Sequence, residues 1–361
     1  MADYKEVIIN GIQISREATL TGIQRVYREI ILRIDKLKGE DADVQILYAF
    51  CKDSPHNIIK PQELHNIRCI ELDVSNRHKA QLFQFPKLVK SRRALSVSFA
   101  MDLGCRAKNQ IVTIYDLRPV IYKKYDSLRF RVKFYIAMKL AKKYSKLILT
   151  DSDYQNAAIR NYFGCKKEKV VTFYCGWEHM NSIEEDEEIF EKYPQIKKGE
   201  YFYTIGSLAP HKNFKWILET AKRNADKQFI IAGGKNLRAW KDNIETDTIK
   251  NVQFIGYVTD EENKALMSYC RAFLFPSKYE GFGLPPLEAL SCGVPIIISN
   301  ATCLPEIYED SAHYIDPDDF EVDLDKILNV PLASPDKILK KCSWDIAAEQ
   351  IFQLIKTEAK V

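Results

Sequence analysis

Two glutamates separated by seven residues form the clearest chemical pattern in the sequence, the stretch KYEGFGLPPLEALSCGVPIIIS at residues 278–299. The carboxylates of Glu280 and Glu288 can accept hydrogen bonds from sugar hydroxyls. The glycines between them allow a backbone to approach a ligand closely, and the amides at a helix N-terminus can bind a phosphate. A nucleotide-sugar, with its phosphates between two sugars, would use all of these groups. Glu288 would then hold the ribose, and Glu280 the second sugar.

The local pattern indicates where each glutamate lies. The apolar run AFLFPS predicts a buried strand, so Glu280 is expected in the loop after it. Pro285 and Pro286 favour the start of a helix that ends at Gly293, which puts Glu288 in its first turn. Ligands of open α/β sheets bind at such carboxyl ends of strands. The simpler alternative is that Glu288 only complements the helix dipole and that the glycines form a turn.

Short apolar runs alternate with amphipathic helical patterns along the whole chain, which predicts parallel α/β units. With 361 residues and 46% hydrophobic content, the chain can form two domains. The predicted strands are EVIING, VQILYAF, RCIEL, LSVSFA, QIVTIYDL, KLILTD, KVVTFY, YFYTIGS, QFIIAGG, VQFIGYV, AFLFPS and PIIIS.

A polar, acidic stretch without apolar periodicity separates the two halves, and we interpret it as a linker. The predicted organisation is a first domain at 1–176, the linker at 177–199, a second domain at 200–342 and a C-terminal helix at 343–361. Ser343 is a plausible N-cap for that helix, which is a candidate to return to the first domain.

Charge is distributed unevenly between the halves. Residues 1–180 carry 32 Lys and Arg against 19 Asp and Glu, whereas residues 181–361 carry 21 against 30. The basic half therefore suits an anionic partner, for which nucleic acid and anionic lipid are both candidates. Nine cysteines without a CxxC pair, and an N-terminus without a basic region leading into an apolar run, predict a cytoplasmic protein with free thiols.

Several segments together resemble one enzyme family. The stretch SKYEGFGLPPLEALSCGVPIIISNATCLPEI resembles the signature of the retaining GT-B glycosyltransferases of sequence family four, the group 1 glycosyltransferases. YTIGSLAPHKNFKWILETA is similar to their strand, loop and helix with a phosphate-binding lysine, and ATLTGIQRVYREI to their N-terminal glycine loop. The resemblance is strong from 201 to 320 and looser between 35 and 175. It implies an α/β protein of the GT-B fold, with two Rossmann-like domains facing each other across a cleft.

The resemblance also implies residue roles. Lys212 would form a salt bridge to the donor diphosphate, where a fixed cation stabilises the charge of the leaving group. Many relatives have an arginine where Ser207 stands, so the cationic part of the site is expected to be smaller here. Without the surrounding pattern, Lys212 would be taken for a solvated lysine, and Gly22 could equally be an ordinary glycine at a helix start. The implied donor-binding residues are Gly22, Ser207, Tyr257, Val258, Gly281, Phe282, Gly283, Leu284 and Glu288.

The chain departs from the family pattern at Tyr115, where many members have a histidine before Asp116. A tyrosine, with an ordinary pKa of about 10, does not change protonation at neutral pH. We therefore expect Tyr115 to have a positioning role and not to transfer protons. The predicted catalytic residues are Lys212, Glu280 and Asp116. In the family that the chain resembles, retention of the sugar's anomeric configuration is usually attributed to attack from the front face, with the leaving diphosphate taking the acceptor proton.

No metal site and no cofactor are predicted. The sequence DSD at 151–153 superficially resembles the metal-binding Asp-x-Asp of other transferases, but a helix N-cap explains it better. The six histidines are scattered, and none is paired at ligand spacing.

Residues 122–146 carry nine Lys and Arg and one acid. One uncharged helical face is expected to pack on the sheet, namely Phe130, Phe134, Ala137, Met138 and Ala141. The opposite side mixes Leu128, Val132, Tyr135 and Ile136 with the basic residues Arg129, Arg131, Lys139, Lys142 and Lys143. Basic side chains with interleaved aromatics are typical of helices that lie on anionic membranes, and the segment 77–93 has the same mixture. A solvated basic face is the alternative.

These patterns predict a retaining, metal-independent glycosyltransferase at the inner face of the cell membrane. It would move a hexose or deoxyhexose from a nucleotide diphosphate sugar to a lipid-linked or polysaccharide acceptor, such as a capsule, an O-antigen or a related surface glycan. An anionic membrane surface is an expected partner, and nucleic acid is not, because no nucleic-acid module accompanies the charge. A GT-B epimerase or phosphorylase, and a non-catalytic nucleotide-sugar or lipid-binding protein, remain alternatives.

Overall fold

The computed structural model describes residues 4, 6–12, 21–40, 43–51, 58–73, 76–99, 109–123, 126–233 and 249–359. The chain divides into two compact units. The first comprises Met1–Cys175 and Ser343–Val361, and the second comprises Gly176–Cys342. The stretch 177–199, which the sequence suggested as a linker, is counted with the second unit.

The first unit contains a seven-stranded parallel sheet in the order β3-β2-β1-β4-β5-β6-β7. Its strands are β1 (Glu6–Asn10), β2 (Gln45–Cys51), β3 (Arg68–Leu72), β4 (Leu95–Ser98), β5 (Gln110–Thr113), β6 (Ser145–Thr150) and β7 (Val170–Thr172). The helices described in its N-terminal part are α1 (Gly22–Glu40), α2 (Arg77–Lys79), α3 (Phe85–Ser91), α4 (Arg118–Ile121), α5 (Leu128–Tyr144) and α6 (Asp153–Phe163). A π-helical turn at Ala80–Gln84 joins α2 to α3.

The second unit contains a six-stranded parallel sheet in the order β10-β9-β8-β11-β12-β13. Its strands are β8 (Tyr201–Ile205), β9 (Gln228–Ala232), β10 (Val252–Gly256), β11 (Ala272–Phe275), β12 (Ile296–Ser299) and β13 (His313–Ile315). The helices described in this unit are α7 (Glu188–Lys192), α8 (Phe214–Arg223), α9 (Asp260–Ser268), α10 (Leu284–Ser291), α11 (Leu304–Tyr308), α12 (Leu324–Leu328) and α13 (Asp336–Lys341).

The strands form where the sequence has continuous apolar runs, because parallel strands are covered on both faces. Every residue of β4, β11 and β12 is buried. All twelve predicted runs coincide with strands, so the parallel α/β prediction is confirmed. Strand β13 was not predicted, because its three residues HYI are too short to show a periodicity.

The C-terminal helix α14 (Trp344–Ala359) packs against α1 in the first unit. The Ser343 hydroxyl oxygen accepts hydrogen bonds from the amides of Asp345 and Ile346, at 3.2 and 3.4 Å, as an N-cap does. Arg33 of α1 forms an ion pair with Asp345 at 2.5 Å. The predicted start of this helix is therefore confirmed, and the structure decides that the helix returns to the first unit.

Strand order defines one crevice in the second unit. The chain moves outward from β8 through β9 to β10 and then returns to the other side of β8 as β11. The loops after β8 and β11 therefore diverge at the carboxyl edge of the sheet, where open α/β sheets bind their ligands.

Candidate functional site

Lys212 and Glu280 meet at this crevice. Lys212 ends a 3₁₀ turn, Pro210–Lys212, in the loop after β8, and Glu280 lies in the loop after β11. The Nζ of Lys212 donates to Oε1 of Glu280 at 2.8 Å, and their side chains are 21% and 12% exposed. Nζ also lies 5.2 Å from the ring centroid of Phe275. The pair is thus ordered, yet accessible enough to contact a ligand.

Asn213 holds the lysine-bearing turn in place. It adopts the left-handed conformation with φ of 56°, which asparagine tolerates better than most residues. Its buried side-chain amide donates to the carbonyls of Pro276 and Pro317, at 3.0 and 2.8 Å. A third link runs from the Lys278 amide to the carbonyl of His211 at 2.8 Å. The loops after β8 and β11 therefore form one connected structure.

Gly283, in the glycine-rich segment after Glu280, has no room for a side chain. Gly283 has a φ of 91°, and a Cβ there would lie 2.7 Å from Cδ2 of Leu304. The hydroxyl of Tyr308 donates to the carbonyl of Gly283, and both Phe282 and Leu284 are buried. Only glycine fits this position, because it lacks both the strain and the clash.

Glu288 has a partner that the sequence did not predict. Helix α10 begins at Leu284, with its two prolines in the first turn, so Glu288 is its fifth residue. The placement of Glu288 in the first turn is therefore wrong. Its Oε1 lies 3.0 Å from Nε2 of His179, and the two side chains are 13% and 3% exposed. This contact, rather than proximity to the helix terminus, orders the carboxylate.

The remaining predicted donor residues of the second unit follow strands at the same edge. Ser207 is exposed after β8. Tyr257 follows β10 with an exposed side chain, whereas Val258 is buried. Because all strands are parallel, these positions share the carboxyl edge with Lys212 and Glu280.

The predicted residues of the first unit lie at the carboxyl ends of β1 and β5. Gly22 is the first residue of α1, and a Cβ there would meet no described atom within 4 Å. Asp116 accepts a hydrogen bond from the Arg118 amide at 3.0 Å. Burial, and then the nearby Cys175 and Asp151, raise the pKa of Tyr115 well above its usual value. Tyr115 therefore stays protonated at neutral pH, as its predicted positioning role requires.

Helix α5 is only partly as predicted. Ala137, Met138 and Ala141 are buried, but Phe130 is 44% exposed, so its predicted packing on the sheet is wrong. The buried residues are confined to the C-terminal part of the helix, and its first turns extend beyond the core. The opposite side exposes Leu128, Val132, Tyr135 and Ile136, together with Arg129, Lys139, Lys142 and Lys143. Arg131, the fifth predicted basic residue, is half-buried.

The sequence DSD at 151–153 forms a helix cap. The hydroxyl oxygen of Ser152 accepts a hydrogen bond from the Gln155 amide at 3.3 Å, which confirms the N-cap prediction. Within the described ranges, no cluster of three or more His, Cys, Asp or Glu side chains has the arrangement of a metal site.

Part of this chain is similar to known glycosyltransferases. Residues 185–340 match the family Glycosyl transferases group 1. The chain is 30% identical to the O-antigen chain mannosyltransferase B of Escherichia coli over 233 residues, which are 60% of this chain and 59% of that protein. It is 31% identical to the O-antigen chain mannosyltransferase RfbU of Salmonella typhimurium over 216 residues, 59% of this chain and 58% of that protein. The matches thus span less than two thirds of these relatives' length.

A solved structure matches nearly the whole chain. The crystal structure of Anabaena Alr3699/HepE in complex with UDP and glucose aligns over 99% of this chain and 97% of that one, with a TM-score of 0.63 and 15% identity. At that identity the likeness establishes the fold.

Proposed function

We propose that this chain, which matches the group 1 glycosyltransferases over residues 185–340 and has the GT-B fold, belongs to that family and transfers a hexose, with retention, from a nucleotide diphosphate sugar to a surface glycan. The observation that carries the proposal is the pairing of Lys212 with Glu280 at the crevice, with Glu288 on the adjoining helix. The similarity to two O-antigen mannosyltransferases favours mannose as the sugar and a growing O-antigen or related chain as the acceptor.

Each of these three side chains contacts a different part of the donor. The Lys212 ammonium binds the diphosphate and stabilises the negative charge that develops as the anomeric C–O bond breaks. Glu280 accepts hydrogen bonds from the sugar hydroxyls, and Glu288, ordered by His179, accepts them from the ribose. The acceptor oxygen forms the new bond to the anomeric carbon, and its proton passes to the leaving diphosphate. Since Lys212 supplies the positive charge, the proposed reaction needs no metal or cofactor.

Nucleotide binding tests the donor site directly. We would measure thermal shifts with UDP, GDP, dTDP, ADP and their sugars, in the presence of EDTA, on wild type and on Glu288→Ala. The proposal expects selective stabilisation by one base, reduced in the variant. No shift at millimolar concentration with any of these compounds would refute it. Transfer to an acceptor then separates a transferase from a protein that only binds nucleotide-sugars.

We also propose that the first unit contacts an anionic membrane surface through α5 and the segment Arg77–Ser91. Strand register places Ile8, Leu47, Val112 and Ile148 on one face of the sheet, because paired residues of neighbouring parallel strands point the same way. Ile8 and Leu47 belong to an apolar cluster that includes buried residues of α3. Val112 and Ile148 belong to another apolar cluster, which includes buried residues of α5. Both helices therefore cover the same face.

The outer side of these helices suits a lipid headgroup layer. Leu82 and Phe83 are exposed in the π-helical turn before α3, and α5 adds the exposed apolar and basic residues described above. Apolar and aromatic side chains among lysines and arginines match an interfacial helix. In the described parts of the chain, no helix combines the length and apolarity needed to cross a bilayer.

Vesicle binding tests this surface. Each basic residue near an anionic membrane contributes about 1 kcal/mol, so the double variant Lys139→Ser/Lys143→Ser should bind phosphatidylglycerol vesicles about 30-fold more weakly. The matched control replaces two exposed lysines of the second unit, Lys326→Ser/Lys340→Ser. Equal binding of all three proteins, or equal binding to neutral phosphatidylcholine vesicles, would refute the proposal.

A further inference from the structure

The loop after β12 carries a strained residue beside Glu280. Thr302 has a φ of 55°, in the left-handed region that a β-branched residue rarely occupies. Such strain persists only where the surrounding structure maintains it, and it clusters at functional sites. Because β12 pairs with β11, the loops that follow these two strands leave the sheet side by side.

Thr302 and Cys303 engage both main-chain polar groups of Glu280. The Glu280 amide donates to Oγ1 of Thr302 at 3.2 Å. The buried thiol of Cys303 lies 3.5 Å from the carbonyl oxygen of Glu280 and 3.4 Å from that of Phe282, as a weak donor to both. Two adjacent residues of one loop thus hold the peptide groups on both sides of the Glu280 Cα.

We propose that Thr302 and Cys303 form a clasp that positions the Glu280 carboxylate for the donor sugar. The clasp fixes the backbone of Glu280, so its side chain remains within reach of Lys212 while contacting the sugar. A glycine would adopt the backbone conformation of Thr302 without strain, but it would offer no hydroxyl to the Glu280 amide. Thr302 is thus a positioning residue, and the inference rests on the proposed donor site.

The substitutions Thr302→Gly and Thr302→Ser separate this role from a structural one. Both remove the β-branching, but serine retains the hydroxyl, whereas glycine alone also removes the strain of the positive φ. We would measure by calorimetry the affinity for the nucleotide-sugar that most stabilises wild type, and for the same nucleoside diphosphate without the sugar. The melting temperature of each variant is measured alongside.

The clasp predicts a loss that concerns the sugar alone. Thr302→Gly should bind the nucleotide-sugar about 5- to 10-fold more weakly, the effect of one hydrogen bond, and the nucleoside diphosphate within twofold of wild type. Its melting temperature should not fall, and Thr302→Ser should bind both ligands like wild type. If Thr302→Gly does not fold, Cys303→Ala serves as the second variant, with the same selectivity and a smaller loss.

Other outcomes overturn the inference. Unchanged nucleotide-sugar affinity in Thr302→Gly, an equal loss for both ligands, or a serine variant as weak as the glycine variant would each show that the clasp does not position Glu280. If wild type binds none of the nucleotides, the proposed function fails, and this inference fails with it. If wild type binds them and only the variant pattern is absent, the proposed function stands without the clasp.

Discussion

Removing the charge of Lys212 has the most direct consequence for the proposed donor site. The variant Lys212→Met keeps most of the side-chain stem and loses the ammonium group that lies 2.8 Å from Glu280. A charge-assisted hydrogen bond contributes about 1.5–3 kcal/mol, so a loss of about 2 kcal/mol should weaken nucleoside diphosphate binding about 30-fold.

A second substitution tests the coupling between the two residues. In Lys212→Met, the Glu280 carboxylate would face the diphosphate without the lysine that now pairs with it. Neutralising it in Lys212→Met/Glu280→Gln should restore part of the affinity, with an interaction energy of about 0.5–3 kcal/mol between the two positions. Because the pair is partly exposed, the loss of folding stability in the single variant should be only about 1 kcal/mol.

Thermal shift and calorimetry provide the measurement. At a ligand concentration of about 100 times Kd, binding stabilises wild type by about 2.7 kcal/mol, and a 30-fold weaker variant by about 0.9 kcal/mol. For a domain of about 150–250 residues, the ligand-induced rise in melting temperature should fall from about 5–11 °C in wild type to about 2–4 °C in the variant. The control is Lys222→Met, an exposed lysine on α8 paired with Glu219. Affinity in Lys212→Met equal to that of the control would refute the role of Lys212.

Three further predictions concern other parts of the two units. Gly283→Ala should lower the free energy of unfolding by about 1–2 kcal/mol for its positive φ and by about 1–3 kcal/mol more for the contact of its Cβ with a leucine methyl. Gly199→Ala, with φ of 80° and open space, should show only the first part in urea melts, and equal losses would contradict this. His179→Ala should weaken nucleoside diphosphate binding about fivefold, because it releases Glu288, and His179→Gln should bind more like wild type. If calorimetry shows no loss of affinity in His179→Ala, His179 does not position Glu288. Tyr115→Phe removes a hydroxyl that is unpaired among the described residues, so the free energy of unfolding should stay unchanged or rise by about 1 kcal/mol. Burial raises the pKa of Tyr115, so above about pH 10 the tyrosine ionises in the unfolded chain and not in the folded one. Wild type should therefore lose stability relative to Tyr115→Phe above that pH. The same change of melting temperature with pH in both proteins, from pH 8 to 11, would contradict this.

The strands and helix ends could be predicted because their causes are local. Continuous apolar runs specified the parallel strands, since such strands are covered on both faces. Ser152 and Ser343 cap the helices that they were predicted to cap, because a hydroxyl satisfies amides only two or three residues away. The prolines at the start of α10 and the left-handed Gly293 after its end obey equally local rules.

The helix α5 shows where periodicity is insufficient. Its helical wheel correctly grouped Ala137, Met138 and Ala141 on one face, and these residues are buried. The same wheel placed Phe130 with them, although that residue is 44% exposed. Periodicity determines the direction in which a side chain points, but not how far along the helix the neighbouring core extends.

The sequence by itself determined the strands of two parallel sheets and the starts of a few helices, and it singled out the two glutamates and the lysine as a candidate site, because each depends on a few consecutive residues. Only the tertiary structure decided that His179 orders Glu288, across 109 positions of the chain, and that Thr302 holds the amide of Glu280. Those contacts depend on which loops the strand order brings side by side, and strand order follows from the packing of the whole sheet. A residue's type and its near neighbours do not encode that packing, so its partners became visible only in the folded chain.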